Sequence, residues 1–247
     1  MSNIAHFSQE QIARFQKPQT RVVRKRPVRR YYLIICEGRE TETNYFKSLR
    51  QILPPDIVRC IEISGTGANT LSLLACAEAE YKKREKSKDP SYDKIWLVFD
   101  KDSFPDDNFD NTISAAKSRT KPGKCVWDCA WSNEAFELWF LLHFNNHSVA
   151  LSRTQFEGKL EAAMKKSLGI DRKYEKTAKD MYSLLEHLQK RAIANAKEMY
   201  AKQKEEHNEI FSKMNPSTTV HLLVEELISY IQSAPKNSKS GTRKKVK

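Results

Sequence analysis

The sequence predicts an α/β fold in which a mostly parallel sheet is flanked by helices and followed by a C-terminal helical subdomain. Two apolar runs, at residues 31–36 and 95–99, lack the alternation of a half-exposed strand and are typical of strands buried on both faces. Strand and helix signals alternate up to about residue 150, and helical periodicity alone follows. The predicted divisions are a basic N-terminal arm at 1–30, a catalytic core at 31–150, a helical appendage at 151–233 and a basic disordered tail at 234–247.

The individual elements follow from local signals. Strands are predicted at 31–37, 58–64, 95–100 and 124–131. The first helix has Thr41 as its N-cap and stops at Pro54-Pro55, which cannot continue it. Further core helices are predicted at 69–84, 110–118 and 133–144, with a charged surface loop at 82–92. The later helices are predicted around 156–163, over 178–209 with a charged end, and from 215–218 onward, where an apolar stripe runs from Val220 to Ile231.

Composition restricts the class of protein. The 247 residues contain no run of 18 apolar residues, and the N-terminus lacks the apolar region of a signal peptide, so we expect a soluble, cytoplasmic protein. The five cysteines contain no Cys-x-x-Cys pair and are expected to be reduced thiols. Cys125, Cys129, His143 and His147 could in principle bind zinc, but their spacing matches no standard zinc site.

The net positive charge of the chain comes from its two ends. Residues 1–30 carry eight Lys/Arg and one Glu, and residues 234–247 carry six Lys/Arg and no acid, whereas the remaining body has a net charge of −1. Basic arms of this kind suit phosphate backbones, because binding releases counterions; solubility alone is the alternative explanation. The candidate nucleic-acid-binding residues lie just before the first strand, at Arg24, Lys25, Arg26, Arg29 and Arg30.

Carboxylates stand where two of the buried strands end. Glu37-Gly38 follows the first strand, and Asp100 and Asp102 follow the third. Ligands of open α/β sheets usually bind at this edge, and carboxylate oxygens are the ligands that Mg²⁺ or Mn²⁺ prefers. One or two such ions could activate a water molecule and neutralise the charge that grows on the phosphoryl oxygens during phosphodiester cleavage. Glu37, Asp100 and Asp102 are therefore predicted as metal ligands and catalytic residues.

Glu137 is a fourth catalytic candidate. It lies in an apolar helix around Ala135-Phe136-Glu137-Leu138-Trp139, where an unpartnered carboxylate would be costly to bury. It must therefore meet a metal, a donor network or a cation. The alternative to a functional role is a structural ion pair with an Arg or Lys of the C-terminal helices.

The acidic pattern resembles the Toprim domain of topoisomerases, primases and OLD-type nucleases, and the wider pattern resembles the RloB-like family. The matching segments are Ile35-Cys36-Glu37-Gly38 with Thr41-Glu42, Phe99-Asp100-Lys101-Asp102, Ser132-Asn133-Glu134-Ala135-Phe136-Glu137-Leu138-Trp139 and Asn215-Pro216-Ser217-Thr218. The resemblance implies a Toprim-like fold, a metal-dependent nuclease in anti-phage abortive infection and an ABC-type ATPase partner encoded nearby, as in AbiL-like systems. Glu134 departs from the family pattern, where a small residue or Pro is expected.

Two classes of function remain open at this point. The first is a Mg²⁺-dependent endonuclease that acts on RNA, such as tRNA, or on DNA. The second is a non-catalytic module that binds nucleic acid or an ATPase partner. Carboxylates clustered at strand ends favour the nuclease, because a pure binding module has no need of them.

Overall fold

The structure is a computed structural model that describes residues 30–59, 61–67, 70–102, 105–121, 123–208 and 210–233. The described strands are β1 (Tyr32–Cys36), β2 (Ile61–Gly65), β3 (Lys94–Asp100) and β4 (Val126–Ser132). The helices of the core are α1 (Thr41–Gln51), α2 (Pro55–Val58), α3 (Thr70–Glu85), α4 (Asp106–Ser118) and α5 (Glu137–Leu142). The later helices are α6 (Phe156–Leu168), α7 (Met181–Leu185), α8 (Gln189–His207) and α9 (Val220–Ser233), with 3-10 turns at Arg153–Gln155, Glu186–Leu188 and Phe211–Lys213.

The four strands form one parallel sheet in the order β2-β1-β3-β4. β1 therefore has β2 on one side and β3 on the other, and the carboxyl ends of β1 and β3 lie side by side. The chain changes direction across the sheet at this point, which is where ligands of open parallel sheets usually bind. The predicted α/β fold with a sheet flanked by helices is confirmed.

The central strands β1 and β3 are buried on both faces, as their continuous apolar runs predict. Along β1, Tyr32, Ile34 and Cys36 face one hydrophobic core, and Leu33 and Ile35 face the other. The second core is closed by α3 and α4, and the first by α1, α5 and the later helices. The sheet is thus the middle layer of a three-layer arrangement.

The helices after residue 150 share the first core with the sheet. In α9, Val220, Leu223, Val224 and Leu227 are buried, which confirms the predicted apolar stripe at those positions. At the same interface Glu226 accepts hydrogen bonds from the Tyr32 hydroxyl (2.8 Å) and the Lys94 ammonium group (2.7 Å). The division into separate domains at residue 150 stays a prediction.

The shared core predicts that damage to α9 will weaken the whole protein. Leu223 is fully buried in this core, so Leu223→Ala should lower the free energy of unfolding by about 2–5 kcal/mol. Thermal unfolding should show one transition at a lower temperature. Leu222→Ala is the matched control, because the Leu222 side chain is 40% exposed and its loss should change stability little. A separate early transition for the helices, with the rest unfolding as in the wild type, would contradict the shared core.

Some predicted boundaries are wrong, for local reasons. The helix predicted at 133–144 is only the six residues of α5, because Glu134 has a φ of +74°, which a helix cannot include. The last helix begins at Val220 instead of residue 215, because Thr218 and Thr219 pair with the carboxyl end of β4: the Thr219 amide donates to the Trp131 carbonyl at 2.8 Å. The predicted helix at 178–209 is interrupted by the 3-10 turn at Glu186–Leu188.

The predicted basic tail, and the arm up to residue 29, lie outside the described residues. Of the arm's candidate nucleic-acid-binding residues, Arg24, Lys25, Arg26 and Arg29 are therefore not placed. Arg30 is exposed before β1, at the amino edge of the sheet. No helix in the described part of the chain is long and apolar enough to span a membrane.

Candidate functional site

The first two candidate carboxylates meet at the crevice between β1 and β3. Asp100 is the last residue of β3, and Glu37 follows β1 directly. The Glu37 amide donates to the Val98 carbonyl at 2.8 Å, and a Glu37 carboxylate oxygen accepts from the Asp100 amide at 3.4 Å. The prediction that the strand ends bring Glu37 and Asp100 together is confirmed.

A third carboxylate, Glu42, joins them from the first turn of α1. Glu42 is only 6% exposed, although glutamate is rarely buried. Gly38 makes the necessary space, since a Cβ atom at residue 38 would clash with the Glu42 carboxylate. In the sequence Glu42 looks like an ordinary helix-start acid, which the helix dipole favours in any case. The signal that distinguishes it is the Glu-Gly pair just before the helix.

Glu137 begins α5 and is 4% exposed. Its Oε1 accepts a hydrogen bond from the Tyr174 hydroxyl at 3.1 Å, and Tyr174 lies in the segment between α6 and α7. Within the described residues, the C-terminal helices contribute no Arg or Lys that forms a direct ion pair with Glu137. The hydrogen-bond partner is a phenol, and the opposite charge of Arg153 acts on Glu137 through an electrostatic interaction.

Asp100 lies among the other three acids. Its Oδ2 accepts from the Phe136 amide at 3.0 Å, whereas its Oδ1 is buried and has no hydrogen-bond partner among the described residues. Burial raises the pKa of Asp100 well above the usual value of an aspartate, and the charges of Glu42 and Glu137 raise it further. The Phe136 hydrogen bond lowers this pKa, and Glu37 raises it.

The electrostatic strain extends to Glu42. Burial raises the pKa of Glu42, its own backbone amide lowers it, and the neighbouring Glu137 raises it again. We call Glu37, Glu42, Asp100 and Glu137 the carboxylate cluster. Like charges held in one partly desolvated place favour the arrival of a proton or a cation.

Asp102 has a different position from the one its spacing predicts. Its φ of +46° turns the chain after β3, and its carboxylate forms an ion pair with Arg153. Arg153 belongs to the 3-10 turn before α6, where the Ser152 amide donates to the Gln155 side chain at 2.9 Å. Asp102 is thus engaged with a cation, and Arg153 links it electrostatically to Asp100 and Glu137.

Two adjoining cavities open above the cluster. One, of about 260 Å³, is lined by Gly38, Glu42, Asp100, Glu137, Arg153 and Lys176 among others. The second, of about 330 Å³, shares Glu137, Arg153 and Lys176 with the first. The combined space, which we call the cleft, therefore has an acidic floor and a basic wall. Such a surface suits a ligand that carries both a cation and an anion.

The cluster has the chemistry of a hard-cation site. Its donors are all carboxylate oxygens, and the unpartnered Asp100 Oδ1 points to a missing positive partner. In the described part of the chain, no three Asp, Glu, His or Cys side chains stand close enough together to hold one metal ion. The donor type thus suits a divalent cation, but the side chains would have to move closer together to bind one.

The contact between Gly38 and Glu42 gives a test of this geometry. Gly38→Ala should fold normally, because the carboxyl end of Glu42 can rotate away from the added methyl group. The rotation should remove Glu42 from the cleft and weaken Mn²⁺ binding by at least about tenfold, the scale of lost support around a metal ligand. Titration of Mn²⁺ by electron paramagnetic resonance measures this affinity.

Gly158→Ala is the control for that substitution. Gly158 lies inside α6, and a Cβ atom there would meet no heavy atom within 4 Å. Alanine is favoured over glycine inside a helix by about 0.5–1 kcal/mol, so the control should be slightly more stable than the wild type. Its Mn²⁺ affinity should be unchanged. Equal Mn²⁺ affinity in both variants would remove Glu42 from the site.

The family of the chain follows from comparison with known proteins. Neither the curated proteins nor the solved structures contain a match to the chain. The family model described as RloB-like protein matches residues 32–227, which is about four fifths of the chain. The match includes the carboxylate cluster, Asp102, Arg153 and the helices that cover the first core. The chain therefore belongs to the RloB-like protein family.

Proposed function

We propose that this protein is a nuclease that depends on Mg²⁺ or Mn²⁺ and hydrolyses phosphodiester bonds of nucleic acid. The observation that carries the proposal is the buried, unpartnered Asp100 Oδ1 among the carboxylates of Glu37, Glu42 and Glu137. Burying carboxylates this close together costs stability unless a proton or a cation joins them. A cation site explains the arrangement, because the carboxylates would attract a bound cation where they otherwise only repel one another.

The residues have separable roles in this proposal. Asp100, Glu42 and Glu137 would hold the cation, and Glu37 and Asp102 could add further carboxylate oxygens. A bound divalent cation supplies charge neutralisation at the phosphoryl oxygens and lowers the pKa of bound water. The Tyr174 hydroxyl holds the Glu137 carboxylate in place, and the Phe136 amide holds that of Asp100.

The basic wall of the cleft supports an anionic substrate. Arg153 and Lys176 line both cavities beside the acidic floor. A phosphodiester is a common biological group that a divalent cation and fixed Arg or Lys cations can stabilise together. The Arg-rich arm before β1, of which Arg30 is described, would add contacts to the phosphate backbone away from the cleft.

The cellular role is proposed from the resemblance to the RloB-like family. On that basis the protein acts in the cytoplasm as the effector of an anti-phage abortive-infection system. A partner ATPase of the ABC type would control it. RNA such as tRNA and DNA are both proposed substrates.

A cleavage assay on the full chain tests the proposal. Labelled tRNA, single-stranded RNA, single-stranded DNA and duplex DNA are incubated with Mg²⁺, with Mn²⁺ and with EDTA. We expect cleavage of at least one substrate that EDTA abolishes. Asp100→Asn should lower the rate by about 100-fold or more, because several kcal/mol of charge stabilisation would be lost.

Asp171→Asn is the matched control. The Asp171 carboxylate is 74% exposed and pairs with Lys165 on the surface, so the variant should cleave like the wild type. Binding of nucleic acid without any cleavage would instead favour a non-catalytic binding module. Cleavage by Asp100→Asn at the wild-type rate would refute the assignment of the site.

A further inference from the structure

Arg153 stands at the centre of the charges in the cleft. It forms an ion pair with Asp102, and it also interacts electrostatically with Asp100 and Glu137. Its charge acts on Glu42 as well. No other described side chain lines both cavities and forms an ion pair with one of the candidate metal ligands. The guanidinium is thus a built-in counter-cation of the acidic floor, beside the Lys176 ammonium group, which acts more strongly on Glu42.

The ion pair between Arg153 and Asp102 is weak because both side chains are partly exposed. The Arg153 and Asp102 side chains are 44% and 34% exposed, and ion pairs with that exposure contribute little to stability. The residue sits in a three-residue 3-10 turn at the start of α6, with a long side chain that reaches into the cleft. Another cation with stronger attraction for Asp102 could therefore displace it without unfolding any element.

The released side chain has a suitable second partner. A guanidinium stays charged at every physiological pH, and its planar donors match the oxygens of a phosphate group in pairs. Lys176 stands beside it on the wall of the cleft and adds a second positive charge. An anionic substrate in the cleft would meet both cations next to the acidic floor.

We propose that Arg153 competes with the divalent cation for Asp102 and that, once displaced, it binds a phosphate of the substrate. This inference rests on the proposed function. Cation and nucleic acid then strengthen each other's binding, since the cation releases the group that the nucleic acid needs, and thermodynamic linkage makes the effect reciprocal. Without a cation, Arg153 neutralises the floor and holds Asp102 away from the carboxylate cluster.

The first experiment measures Mn²⁺ binding to the full chain without nucleic acid, by electron paramagnetic resonance. Arg153→Gln should bind Mn²⁺ about fivefold more tightly or better, because the competing cation is gone. Arg172→Gln is the matched control: Arg172 pairs with Asp180 at 2.8 Å with similar exposure, and neither residue lines the cleft. Its Mn²⁺ affinity should equal that of the wild type. Asp100→Asn shows whether the binding belongs to the carboxylate cluster.

The second experiment measures binding of labelled single-stranded RNA and DNA 20-mers by fluorescence anisotropy, with Ca²⁺ and with EDTA. Ca²⁺ should strengthen binding to the wild type and to Arg172→Gln, and this gain should be lost in Arg153→Gln. The opposite changes in Arg153→Gln, tighter Mn²⁺ and weaker nucleic acid, distinguish the proposal from simple damage to the fold.

The outcomes separate the inference from the proposed function. Mn²⁺ binding that requires Asp100 but is equal or weaker in Arg153→Gln would overturn the inference and leave the metal site standing. An undiminished Ca²⁺ gain in Arg153→Gln would overturn the phosphate role of Arg153. If neither the wild type nor any variant binds Mn²⁺, the metal site and the inference are both refuted. Binding of Mn²⁺ by Arg153→Gln but not by the wild type would support the inference in its strongest form.

Discussion

Asp100→Asn is expected to make the metal-free protein more stable at pH 8 than the wild type. Burial and the charges of Glu42 and Glu137 raise the pKa of Asp100, so the folded state favours its protonated form. The stability that this proton confers is fully present below about pH 4, the range of an unfolded aspartate, and is lost as the pH rises through the raised pKa. Asparagine is neutral at every pH and avoids the loss.

The measurement is the free energy of unfolding of both proteins between pH 4 and pH 8, with EDTA present. Stability should fall with rising pH in the wild type more than in Asp100→Asn, by about 1.4 kcal/mol for each unit by which the pKa is raised. Mg²⁺ should then stabilise the wild type and have little effect on the variant, because only the site in the wild type binds it. Parallel pH profiles would show that folding does not raise the pKa of Asp100.

Glu137→Gln is expected to abolish cleavage with little loss of stability. The glutamine keeps an oxygen that can accept from the Tyr174 hydroxyl, which is 3.1 Å from Glu137 Oε1, but it removes the negative charge. The cleavage rate should fall by about 100-fold or more, as for other lost charge stabilisation at a metal site. Wild-type cleavage by Glu137→Gln would place this residue outside the site.

Two further variants separate charge from structure at Glu137. Glu137→Ala leaves the buried Tyr174 hydroxyl without its acceptor, which should cost about 1–3 kcal/mol of stability in addition to the lost activity. Tyr174→Phe removes only the hydroxyl group and should cost about 1 kcal/mol of stability and about tenfold in cleavage rate, because Glu137 loses its positioning partner. Unfolding curves and cleavage rates measured on the same preparations compare them. A loss of activity in Tyr174→Phe greater than that in Glu137→Gln would mean that the phenol does more than position Glu137.

The parts of the fold that depend on local patterns could be predicted from the sequence. Continuous apolar runs gave β1 and β3 as strands buried on both faces, and the rule for parallel sheets then brought Glu37 and Asp100 to one edge. The apolar stripe of α9 likewise predicted the face that packs on the sheet. These signals are periodic, and they depend on residues close together in the chain.

The rest depends on contacts between distant segments. Asp102 meets Arg153 about fifty residues later, and Glu137 meets Tyr174 after a further helix, so spacing alone could not reveal either partner. The burial of Glu42 depends on the space left by Gly38 and on the direction in which α1 leaves the turn. The short α5 likewise requires a φ of +74° at Glu134, which its residue type does not suggest.

A crystal of the full chain soaked in Mn²⁺ tests the central claim most directly. The cluster should bind the ion beside Asp100 Oδ1, the buried oxygen that lacks a partner. We predict an anomalous difference peak there, within coordination distance of Asp100 and at least one of Glu37, Glu42 and Glu137. The same soak of Asp100→Asn crystals should lose the peak. Fully occupied Mn²⁺ elsewhere on the chain, with none at the carboxylate cluster, would contradict the account.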